Sequence, residues 1–75
     1  MSNIIFSVVE KNQAGSFVSE YFGDNREDAM RHFDKKCEVM GQDLAGWQKQ
    51  VGTNSCMWQN GNEMRTIEVV EKNIF

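Results

Sequence analysis

One stretch of this 75-residue chain carries a sustained helical period, and that limits what the rest can be. Ala29, Met30, Phe33, Cys37 and Met40 recur at spacings of three and four, while Arg26, Arg31, His32, Lys35 and Glu38 fall mostly on the remaining surface. Asp24 or Asn25 can cap such a helix. Glu27 and Asp28 suit its positive first turn, and Gly41 can take the left-handed conformation that closes it. The pattern predicts one amphipathic helix over about residues 25 to 40. One helix covers one face of a sheet, so the partner layer must leave its other face uncovered.

The other segments read as strands. NIIFSVVE, Asn3 to Glu10, is apolar on both faces, with Ile4, Phe6 and Val8 on one side and Ile5, Ser7 and Val9 on the other. KNQAG supplies turn residues, and SFVSEYFG, Ser16 to Gly23, completes a hairpin. After Gly41 the signal weakens: QDLAGWQKQVG reads either as a short helical turn through Leu44, Trp47 and Val51 or as a strand with Trp47, Lys49 and Val51 on one face, and Gly46 and its neighbours favour a strand that begins near Ala45 or Trp47.

Asn60-Gly61 is a strong hairpin signal, because both central positions of a type I′ turn need positive φ. A two-residue loop there predicts that Trp58 faces Glu63, Met57 faces Met64 and Cys56 faces Arg65. Directly opposed residues share a face. One face then carries Cys56, Trp58, Glu63, Arg65, Ile67 and Val69, and the other Met57, Met64, Thr66, Glu68 and Val70. VVEKN occurs twice, as Val8 to Asn12 and Val69 to Asn73, without the third copy a repeat architecture needs.

The predicted layout is β-β-α-β-β-β, a single α+β domain over residues 1–75 with an antiparallel sheet and the helix on one face. Ile5, Val9, Met57, Met64, Val70 and Tyr21 then fall on or near the uncovered face, where a solvated sheet ordinarily alternates to polar residues. Exposed methionine costs solubility and makes an adaptable contact, so these six are the candidate protein-interaction residues. The competing reading buries Met57 and Met64 within the monomer, for instance under Ile74 and Phe75.

A net charge of −3 and a pI near 5.0 argue against a surface that tracks nucleic-acid phosphates. The N-terminal MSNIIFSVVEKN lacks the pattern of a secretory signal, and no run approaches the 18 or so apolar residues of a membrane span. Cys37 and Cys56 read as reduced core residues that approach each other beneath the helix, which places the chain in a reducing cytosol.

No catalytic, metal or cofactor motif stands out. GQDLAG, Gly41 to Gly46, has the glycine spacing of a phosphate loop, but Trp47 and Gln48 stand where Lys and Ser or Thr are needed. His32 lies roughly opposite the apolar stripe and reads as a solvated surface histidine. Trp58 with Glu63 and Arg65, joined by Trp47, could clamp a planar ligand; the competing reading places Trp58 at the core edge with the charges reaching past it to water.

The expected function is therefore non-enzymatic: binding of a larger protein, as inhibitor or adaptor, or of a second copy as a homodimer, through the open face. A small-molecule or nucleotide-binding module at Trp58, Glu63, Arg65 and Trp47 is the alternative, and single-stranded nucleic-acid binding comes last. In size, acidity and one-helix layout the chain is similar to small phage-encoded proteins that block host enzymes or defence complexes, such as many anti-CRISPR proteins. That resemblance implies a host protein as partner, and it carries over no residue.

Overall fold

The computed structural model describes residues 4–73. Its elements are β1 (Ile4–Asn12), β2 (Phe17–Tyr21), α1 (Arg26–Asp43), β3 (Gln48–Val51), β4 (Ser55–Asn60) and β5 (Glu63–Asn73). The strands form one antiparallel sheet in the order β2-β1-β5-β4-β3, with α1 across one face, as the α+β reading expects.

The sheet is organised by β5, an 11-residue strand that pairs with β1 on one side and β4 on the other. The two VVEKN copies cross there: Val8 faces Val69, and the charged ends run off to opposite ends of the sheet. Phe6, Val8, Cys56, Trp58 and Ile67 project from one face and meet Ala29 and Phe33 of the helix, forming the core. Met30, Cys37, Met40, Leu44 and Trp47 pack around it.

The helix starts where its cap predicts. Asn25 accepts from the Asp28 backbone N–H through Oδ1 at 3.0 Å, satisfying one of the first-turn donors. Its end does not follow the prediction, because Gly41 is helical and the helix runs to Asp43. Glycine inside a helix costs about 1 kcal/mol. Continuing past it carries Leu44 onto the core, and the left-handed position falls to Gly46, with φ of 92°. The following strand starts at Gln48, after Trp47.

The β4–β5 turn is also corrected. Asn60 faces Glu63, so the two-residue loop is Gly61-Asn62 rather than Asn60-Gly61. Gly61 has φ of 60° and no non-glycine residue among those described has positive φ, which is the pattern of a type II′ turn with glycine at its first central position. Trp58 therefore faces Arg65, Met57 faces Thr66, Cys56 faces Ile67 and Met64 faces Gln59. The register moves by two residues, an even number, so every side chain keeps its predicted face.

Candidate interaction face

The core side of the sheet is closed by α1, which leaves the other side of the strands uncovered. Strand alternation and register place Ile5, Val9, Tyr21, Met57, Met64 and Val70 together on this second face. Phe17, absent from the predicted set, joins them from the start of β2 and is 65% exposed. Its signal was available in the sequence, since Phe17 shares a strand face with Tyr21.

The face has internal structure. Ser7 lies between Tyr21 on β2 and Val70 on β5, flanked along β1 by Ile5 and Val9, and this ring shields it so well that it is only 7% exposed. Met57 and Met64 form a second apolar group towards the β4–β5 turn, diagonal to each other across Thr66 and Gln59. Lys11 Nζ lies 3.2 Å from Glu68 Oε1 between the two groups. Five of the six predicted residues are half-buried and Tyr21 is exposed at 72%, so no side chain of the set is sealed inside the monomer. Ile74 and Phe75, the alternative cover for the methionines, lie outside the described residues.

The predicted ligand clamp is arranged differently. Trp58 is only 1% exposed, with Lys49 Nζ 5.5 Å from its ring centroid, so the indole is a core side chain capped by a cation. Trp47 and Trp58 share a shallow cleft of about 340 Å³ with Cys37, Leu44 and Lys49. Glu63 faces Asn60, Arg65 faces Trp58 and Asn12, and neither lines that cleft.

The two cysteines meet beneath the helix as expected, both as free thiols. Burial, then the hydrogen bond and charge interaction with Cys56, push the Cys37 thiol up to about 12. That is the opposite of the activation a reactive cysteine needs.

His32 departs from its prediction as a solvated side chain. It is half-buried, its ring packs against Phe22 at 5.0 Å, and Nε2 lies 3.0 Å from Glu20 Oε2 without the alignment of a hydrogen bond. Lys36 lies 3.4 Å from Glu10 Oε2 and 3.7 Å from Glu20 Oε1. The helix flank at His32, Lys36 and Val39 thus forms a groove of about 370 Å³ with Glu10. Sequence reasoning missed the His32–Glu20 contact because Glu20 reaches the helix only through the pairing of β2 with β1.

Among the described residues no group of three His, Cys, Asp or Glu side chains could hold a metal ion, and no helix is long and apolar enough to cross a membrane. No family model, curated protein or solved structure matches this chain.

Proposed function

We propose that this chain is a non-catalytic docking module whose open sheet face packs against an apolar surface on a larger protein, acting as an inhibitor or adaptor in the cytosol. The observation that supports this reading is the placement of Ile5, Val9, Tyr21, Met57, Met64 and Val70 on the face that α1 leaves uncovered. Apolar side chains there stay partly exposed in the monomer and gain free energy when a partner removes their remaining surface from water. The two methionines suit such a contact because their unbranched side chains adapt to the opposing surface. Lys11 and Glu68 between the apolar groups supply a polar mark that fixes orientation, as charges do at interfaces.

The test introduces charge where the docking contact would form. Met57→Glu with Met64→Glu should leave the circular dichroism spectrum and melting behaviour of a folded domain, since neither side chain belongs to the core. The same pair should abolish retention of the partner that the wild-type chain captures from the cells that produce it. Undiminished capture by the folded double variant would refute the docking reading.

A further inference from the structure

We propose that β2 is a self-pairing edge, through which two copies join antiparallel across a two-fold axis at Ser19 to make one continuous sheet. This goes beyond the docking reading and does not depend on it, because the edge of the sheet and its open face are different surfaces.

The ladder between β1 and β2 shows which backbone groups are free. Asn12 N–H donates to Ser16 C=O at 3.1 Å and Phe22 N–H donates to Phe6 C=O at 2.9 Å, so the even-numbered residues of this segment point their N–H and C=O groups towards β1. Antiparallel strands alternate, which leaves the groups of Phe17, Ser19 and Tyr21 pointing outward at the edge. In an antiparallel pair centred on Ser19, these are the residues that meet: Ser19 with the partner's Ser19, and Phe17 with the partner's Tyr21. Each pair exchanges both hydrogen bonds.

The side chains suit the same register. Phe17 and the partner's Tyr21 make an aromatic cross-strand contact on the open face, repeated by symmetry on the other side of the axis. On the helix side, Val18 lies opposite the partner's Glu20. The two glutamates are diagonal rather than opposed, and Glu20 is already accompanied by His32 and Lys36 of its own chain, so no unaccompanied like charges face each other across the axis. Phe17, Val18 and Tyr21 are 65%, 59% and 72% exposed, which supplies the area for burial.

Edge strands are ordinarily protected by shortness, proline or charge. The other edge, β3, is a four-residue strand of sequence QKQV, polar but for its last residue and carrying Lys49. β2 carries two aromatics, a valine and no basic residue in FVSEY. Five residues a side fall well short of the roughly 800 Å² per partner of a standard interface, so the dimer is a weak, concentration-dependent one. Pairing would leave both open faces free on one side of the joined sheet, giving a bivalent docking surface.

Sedimentation equilibrium of the full chain from about 10 µM to about 1 mM, the range of weak association, tests the edge. Wild type should shift towards dimer as concentration rises. Ser19→Pro should stay monomeric and folded, because its outward N–H contributes nothing to the β1–β2 ladder and proline is tolerated at such edge positions. Ser19→Cys, read by intact mass after mild oxidation, provides a test that does not require the proline variant to fold. Antiparallel hydrogen-bonded pairs hold Cα atoms about 5.5 Å apart, within disulfide reach, so it should crosslink while Gln50→Cys on β3 should not.

Met57→Glu with Met64→Glu should dimerise like wild type, which separates the edge from the docking face. A wild type monomeric throughout with no Ser19→Cys crosslink would overturn the proposal. So would a dimer that survives Ser19→Pro, that is lost only with the methionine variant, or that crosslinks through Gln50→Cys instead.

Discussion

The two faces of this sheet are made by the same strands and differ in what the adjacent residue does. Val69 and Val70 are neighbours on β5, yet Val69 lies opposite Val8 and packs against the core, while Val70 lies opposite Ser7 beside an exposed tyrosine. On the covered face Phe6, Val8, Cys56, Trp58 and Ile67 meet Phe33 and Ala29 of α1 and are buried to a few per cent exposure, with Val69 half-buried at their margin. On the open face the same chemistry stops half-buried, with a lysine and a glutamate set between two apolar groups. Period-two alternation alone separates a residue packed against the core from its neighbour on the face that α1 leaves uncovered.

Truncating the covered face should have the largest effect. Trp58→Ala empties a fully buried site and should cost about 3 to 5 kcal/mol, close to the whole stability of a domain this small, so chemical denaturation should find the variant largely unfolded or nearly so. A Trp58→Ala variant as stable as wild type would break the distinction between the faces at once.

The matched pair on β5 sharpens it. Val69→Ala should cost about 1 kcal/mol, since Val69 is half-buried against the core and loses part of two methyl equivalents of burial. Val70→Ala should stay within about 0.5 kcal/mol, as substitutions outside the core do. Equal losses in urea denaturation would mean that the open face carries as much of the folding free energy as the covered one.

A further effect is alkaline and belongs to the covered face alone. Below about pH 9 the Cys37 thiol is neutral in both folded and unfolded chains, so it contributes no pH dependence. Between 9.0 and about 12 the unfolded chain releases the proton that the folded one keeps, and stability falls as pH rises. Denaturation midpoints followed from pH 8 to 11 should therefore decline more steeply for wild type than for Cys37→Ala. Parallel curves would remove the burial of Cys37 from the account.

Much of this contrast was legible in the chain. The helix stripe, the alternation of β1 and the hairpin of β4 and β5 are local signals, and each placed its residues on the right face. The turn was misplaced because Asn-Gly and Gly-Asn overlap in NGN and satisfy different turn types. The error moved the register by an even number, so Met57 and Met64 stayed together while their direct partners changed. Gly41 misled because its helix-ending tendency is worth about 1 kcal/mol and the docking of Leu44 lies beyond a local window. The His32–Glu20 contact and the outward-facing groups of β2 depend on the pairing of distant segments, which no short stretch specifies.

The most direct test of the docking face replaces single residues with a photoreactive phenylalanine analogue in the producing cell and identifies what is covalently captured. The account predicts that Met57 and Val70 capture the same protein, and that Glu38, exposed on the outer side of α1, captures none of it. Capture of that protein at Glu38 but at neither Met57 nor Val70 would place the contact on the helix and contradict the account.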